Sequence, residues 1–180
     1  MTMPKPKNFI ATVLRLFPSL IFVPWNILTR KGFSFVHPIS KLSGKIKLGF
    51  ATEIGFGTSL KAGALGIETG EYTQINENCV IAGNITIGKR VLIAPSVTLV
   101  TGSHKFGLGI QPRFSGDGVE KIMTIGNDVW IGAGVLIIGE VSIGNNCVIA
   151  AGVVIDKSVP ENTIVKRELS VINGRISELF

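Results

Sequence analysis

A chain of 180 residues with a net charge of +6 is long enough for one well-filled core and a short appendage. Residues 1–52 hold eight Lys or Arg and no Asp or Glu, whereas residues 53–180 hold ten basic and twelve acidic residues. The main body therefore lacks the clustered basic surface of a nucleic-acid groove. Two cysteines in 180 residues exclude a disulfide scaffold, and a reducing, cytoplasmic compartment fits.

Residues 9–29 form an apolar stretch long enough to raise the question of a membrane span. Arg15 interrupts it, Pro18 and Pro24 each break a helix, and no Ala-x-Ala cleavage site follows. Two readings stand. The stretch packs across the first turns of the domain behind it, or it lies at a membrane surface with Lys5, Lys7, Arg15, Arg30 and Lys31 at anionic head groups. Residues 1–47 are taken as this apolar and basic segment with its lead-in. His37 precedes Pro38 and is expected in extended chain, as a surface or edge histidine.

A six-residue rhythm begins at Leu48, Ile54 and Leu60, skips three residues around positions 62–67, and continues as Thr69, Ile75, Ile81, Ile87, Ile93 and Leu99. It stops over residues 100–124 and returns at Ile125, Ile131, Ile137, Ile143, Ile149 and Ile155. A second track follows four residues after each anchor, from Thr73, Cys79, Ile85, Val91 and Val97 to Val129, Val135, Val141, Cys147, Val153 and Val159. Period six fits neither an amphipathic helix nor hairpin strands. Positions i and i+4 are an even number apart, so they are expected to share one face of a locally extended segment. Gly or Ala at i+1 (Gly70, Gly88, Gly126, Gly132, Gly144) is expected to make each sharp turn, glycine permitting positive φ. Three faces per coil and stacked coils predict an all-β chain, a parallel β-helix over residues 48–160 with a protruding loop at 100–124. Residues 161–180 form a C-terminal extension, expected as a strand and a short helix. Both cysteines fall in i+4 slots and read as small buried hydrophobes.

The loop opens with Thr101-Gly102-Ser103-His104, and His104 is the one histidine of the repeat body. The pieces Ile87 to Leu99, Thr101 to His104, Ile125 to Gly134 and Ile149 to Pro160 together resemble the bacterial hexapeptide-repeat O-acetyltransferases, most closely those of surface-polysaccharide pathways. The resemblance implies a left-handed coil, acetyl-CoA as acyl donor, a homotrimer with sites between subunits, and direct transfer to a sugar or glycan hydroxyl. His104 is then the general base, a role suited to a neutral imidazole. By the same resemblance Ala133, Ala151 and Lys157 line coenzyme A, and Trp130 stands near the thioester. Gly132, Ala133 and Gly134 leave room for pantetheine and offer an amide to an oxyanion. Lys166 and Arg167 can meet a phosphate, and Gln74, Asn76 and Asn84 stand on the acceptor side.

The family's proline-containing turn after the last coil is replaced here by Val165-Lys166-Arg167-Glu168. Two histidines cannot supply the three-His metal set of γ-class carbonic anhydrases, so no metal is expected. N-acetylation of an amino sugar or another amine, and a non-enzymatic membrane-docking β-helix, are the alternatives. A peripheral contact at the inner face of the membrane would run through residues 1–31.

Overall fold

The computed structural model describes residues 28–29, 32–105, 107–109 and 111–167. The apolar and basic segment up to residue 27, with its packing and membrane readings, and the expected closing helix fall outside them. A short antiparallel pair, β1 (Leu28–Thr29) with β2 (Gly32–Phe33), precedes a rod of parallel strands. The first coil is β3 (Phe35–Val36), β4 (Lys41–Ser43) and β5 (Ile46–Lys47). The second is β6 (Glu53–Ile54) and β7 (Ser59–Thr69), the third β8 (Gln74–Ile75) and β9 (Val80–Ile87). Then come β10 (Leu92–Ile93), β11 (Thr98–Val100) and β12 (Ile122–Ile125), and a fifth coil of β13 (Trp130–Ile131), β14 (Leu136–Ile138) and β15 (Ser142–Ile143). The rod ends with β16 (Val148–Ile149), β17 (Val154–Ile155) and β18 (Ile164–Val165).

Three faces result. β3, β6, β8, β10, β13, β16 and β18 stack as the first. β7 and β9 each cross a corner, starting on a second face with β4, β11, β14 and β17 and ending on a third with β5, β12 and β15. This is the hexapeptide β-helix that the rhythm predicts, left-handed and of about seven turns.

Both apolar tracks are buried along the rod, from Leu48 and Ile54 to Val153 and Ile155. The corner, however, falls between i and i+4. Positive φ occurs at i+3, as at Tyr72, Asn78, Arg90, Ser96, Asp128, Gly134, Asn146 and Gly152. The pair that shares a flat face is i+4 with the next anchor, such as Val129 and Ile131, at the ordinary period of two. The glycines at i+1 are not the turn residues either. They are small because coils touch there: a Cβ on Gly70 would lie 2.6 Å from the Gly88 carbonyl carbon, and one on Gly126 2.8 Å from that of Gly144.

The three-residue insertion appears as a bulge, with Ala62 opposite Gly83 but Ile67 opposite Ile85. Stacking begins before Leu48, because Val36 and Leu42 continue the six-residue count backwards and pack on the core. It also runs past residue 160. Val159 pairs with Ile143, so it fills an anchor slot rather than the i+4 slot that counting assigns, and Asn162 supplies the i+3 turn after it. The last coil is two residues short, which brings Val165 opposite Ile149.

The i+4 slot tolerates a donor because a turn carbonyl of the next coil lies above it. Thr58 Oγ1 donates to Asn76 O at 2.6 Å and Thr73 Oγ1 to Gly88 O at 2.8 Å. Cys79 Sγ reaches Ala94 O at 3.3 Å and Cys147 Sγ reaches Pro160 O at 3.1 Å in the same manner. The cysteines are thus weak donors as well as hydrophobes. Burial pushes the Cys79 thiol up, away from the thiolate a nucleophile needs.

The corner between the third and first faces is a polar ladder. Arg90 grips Asp128 through Nε and Nη2, each at 2.6 Å, and Asn127 Oδ1 accepts from the Lys89 N–H at 2.8 Å. The Arg90 hydrogen bonds hold the Asp128 carboxyl below its ordinary range. A depressed carboxylate contributes stability above the unfolded-state pKa, about 4, and loses it as pH falls through the folded value. Asp128→Asn should therefore cost a small amount of thermal stability at neutral pH, small because the pair is exposed. The difference from wild type should vanish in acid, as thermal melts across pH would show.

Candidate functional site

The corner between the second and third faces is the loop edge. Val100 pairs with Ala82 and Ile122 with Asn84, so a single residue of β9 spans what the fourth coil covers with residues 101–121. Met123, fully buried, pairs with Ile85 and fills the i+4 slot, a core residue hidden from the sequence pattern inside the apparent gap. At the loop base Thr101 is buried. Its N–H donates to Ala82 O at 3.0 Å and its Oγ1 accepts from the Asn84 N–H at 3.1 Å. Gly83, at φ +117°, covers that hydroxyl, and any Cβ there would strike Thr101 Oγ1.

Further out the two limbs of the loop zip together. Gly118 N–H donates to Ser103 O at 2.7 Å, and His104 stands opposite Asp117 in an antiparallel bridge. The His104 ring is exposed, with Nδ1 3.3 Å from Gly116 O. A carbonyl only accepts, so this contact keeps the proton on Nδ1 and the lone pair on Nε2. The sequence marks His104 but not the carbonyl that sets its tautomer.

The corner between the first and second faces is an open edge. Ala133 and Gly134 stack under Ala151 and Gly152, joined to them by Gly152 N–H to Ala133 O at 2.9 Å, and Gly134 N–H donates to Pro95 O of the coil below at 3.1 Å. All four are exposed, and a Cβ on Gly134 or Gly152 would meet nothing within 4 Å. One coil higher, after β18, Lys166 and Arg167 close this edge, both exposed. Six of the eight predicted cofactor residues therefore share one edge. Gly132 is buried in the stack beneath it. The amides need a correction: Gly132 N–H is committed to Ile149 O at 2.8 Å and Gly134 N–H to Pro95 O. That leaves Ala133 as the amide of the three with which an oxyanion could be met. Trp130, 52% exposed, stands on the first face beside this edge, in an outward column with Leu92, Val148 and Ile164.

Lys157 is not with them. It follows β17 and lies, exposed, on the loop edge that carries His104. The acceptor residues divide in the same way. Gln74 is two strands below Trp130 in the outward column, and its Nε2 donates to Asn76 Oδ1 at 3.3 Å while Asn76 Nδ2 donates to Ile93 O at 2.7 Å. Asn84 is 5% exposed on the loop edge. Its Oδ1 accepts from the Leu65 N–H at 2.9 Å and its Nδ2 donates to Lys121 O at 3.4 Å, so it braces the bulge against the returning loop. It also lines a cleft of about 230 Å³ with Lys45, Leu65, Glu68 and Ile122, which no other predicted site residue reaches. Within one chain, then, His104 stands on one edge and the open track on another, separated by a face up to about 20 Å wide.

A solenoid of this type, with a histidine-bearing loop on one edge and an open track on another, defines a hexapeptide-repeat transferase scaffold. The family model described as bacterial transferase hexapeptide (six repeats) matches residues 66–101 and 123–157, the two blocks that flank the loop. The chain is 31% identical over 132 residues to an Escherichia coli (strain K12) protein named for O-acetyl transfer in lipopolysaccharide biosynthesis, covering 68% of this chain and 67% of that one. It is 39% identical over 108 residues to the galactoside O-acetyltransferase of the same organism, covering 58% of this chain and 52% of the relative. A solved hexapeptide-repeat acetyltransferase of Vibrio cholerae superposes with a TM-score of 0.51 at 30% identity, over 77% of this chain and 68% of that one. The chain belongs to the hexapeptide-repeat acetyltransferase family. It spans little more than half the length of several curated relatives, 57% and 52% in two of them.

Proposed function

We propose that this protein transfers the acetyl group of acetyl-CoA to a sugar hydroxyl, in the assembly of a surface polysaccharide. The observation that carries the reading is His104, exposed on the loop limb with Nδ1 against Gly116 O. A base oriented in that way takes the hydroxyl proton on Nε2 as the oxygen attacks, and the resulting imidazolium returns it to the leaving sulfur. When bound, acetyl-CoA supplies the activated thioester carbonyl. The open edge fits that donor: Ala133, Gly134, Ala151 and Gly152 admit a thin arm, and Lys166 and Arg167 meet anionic phosphate. Ala133 N–H is the assigned oxyanion donor, and Gln74 and Asn76 are the polar groups offered to the acceptor. The names of two relatives, a galactoside O-acetyltransferase and an O-acetyl transferase of lipopolysaccharide biosynthesis, support a carbohydrate acceptor. The test is release of free thiol from acetyl-CoA against galactosides, nucleotide sugars, lipid-linked sugars and the matching amino sugars. A base-labile ester product is expected. Base-stable amide alone would transfer the reading to N-acetylation, and no thiol release with any acceptor would end it.

Two half-sites on different edges of one prism complete each other in a closed ring of three, where the loop edge of one copy faces the open edge of the next. His104→Ala and Ala151→Trp, the latter blocking the open edge, should each be inactive alone. Unfolded together and reassembled, they should recover roughly a quarter of wild-type activity, the share of interfaces with both halves intact. No recovery in a mixed trimer, or an active monomer by sedimentation, would remove the shared site.

A further inference from the structure

The first end of the rod differs from the rest in two respects that the transferase reading does not use. The first is charge. Residues 1–61 contain nine basic residues and one acidic one, whereas residues 62–180 contain nine basic and eleven acidic. Within the folded part, Lys41, Lys45 and Lys61 are all exposed on the first two coils, and Lys47 beside them is paired with Glu68. The second is aromatic side chains at the corners. Phe50 and Tyr72 occupy the corners that lead out of the first and second coils and Phe56 the corner between β6 and β7, 36%, 58% and 46% exposed, with Phe50 edge-on to Tyr72. From residue 73 onward the corner positions of the first face are Asn, Glu, Gly, Lys, Arg, Ala, Pro, Ser and Asp, with no aromatic among them. Ile39 and Leu65, each 59% exposed, add apolar surface at the same end.

We infer that this end of the rod docks on an anionic lipid bilayer, with the lysines at the head groups and the corner aromatics at the interface. Lysine stems with charged tips and amphipathic rings are the side chains that suit the boundary between head groups and acyl chains. The aromatics lie within about two coil spacings of the end, roughly 10 Å, which matches the depth of an interfacial contact. β3, β4 and β5 are the terminal strands of their faces among the described residues, and water in the head-group layer can still satisfy their outer polar groups. Lysines at such an end also deter edge-to-edge pairing of strands. A charge reversal separates the two roles, because glutamate deters pairing equally well but repels an anionic surface.

The experiment is flotation of the full chain with phosphatidylcholine vesicles, with and without phosphatidylserine, against the Lys41→Glu, Lys45→Glu, Lys61→Glu triple variant. Wild type should bind only the vesicles that contain phosphatidylserine, and less as salt rises. The triple variant should bind about 10²-fold more weakly, with its thermal melt and its turnover of a soluble acceptor unchanged. Phe50→Ser with Phe56→Ser should weaken binding in a salt-insensitive manner. Four results would overturn the inference: no binding, equal binding to neutral vesicles, a triple variant that binds as wild type does, or binding lost only when Lys5, Lys7, Arg15, Arg30 and Lys31 are neutralised. The last would assign the contact to the preceding segment. Flotation needs no turnover, so its outcome is independent of the acetyl-transfer reading.

Discussion

His104→Asn is expected to lower turnover by about 10²–10⁴-fold, the usual contribution of a positioned acid–base group, while the fold and the affinity for coenzyme A persist. The side chain is exposed and touches no member of the buried column, so its loss opens no cavity. Asparagine keeps a polar group of similar size and can still donate to Gly116 O. What it lacks is the second nitrogen. His104→Ala should lose the same activity and the Gly116 contact as well. Steady-state kinetics with calorimetric binding of coenzyme A would check both statements. A folded asparagine variant with wild-type turnover would leave His104 as a loop anchor. The base would then be sought at Asp117, opposite it in the bridge, or at Glu77.

The second large effect should come from a single methyl group. Gly88→Ala places a Cβ 2.5 Å from the carbonyl oxygen of Gly126, a backbone atom that cannot swing aside. Gly88 N–H also donates to Ile125 O at 2.8 Å, so moving apart to relieve the clash breaks a coil-to-coil bond. Overpacking of this kind costs about 1–3 kcal/mol and lowers Tm by about 2–12 °C in a domain of this size. Gly102→Ala, where a Cβ meets nothing within 4 Å, should change stability by no more than about 0.5 kcal/mol. If Gly88→Ala melted with wild type, the coil spacing at that edge would be wrong.

That contrast marks where counting along the chain succeeds and where it fails. The buried column was legible because each anchor repeats one environment, and an exposed position gains nothing from Ile at every sixth residue. His104 was legible because it is the one imidazole in the repeat body. The role of each position within a hexad was not. Gly88 and Gly134 look alike in sequence, yet one is small because Gly126 presses on it and the other turns at φ +65° with open space above it. Which of the two holds depends on residues 38 and 18 positions away. Val159 fell out of register for a similar reason: two missing residues in the last coil are invisible until Ile143 pairs with it.

The sequence by itself determined the period and the buried face and singled out His104, since those follow from which side chains leave water and which can take a proton. The grouping of residues into half-sites was decided by the closing of the chain into a prism. Closure brings Ala133, Ala151 and Arg167, spaced 18 and 16 residues apart, to successive levels of one edge. It carries Lys157 around the corner to the edge of His104. It also turns Asn84 inward, where the bulge and the returning loop both claim its amide, because a buried polar group must be hydrogen-bonded wherever the chain places it.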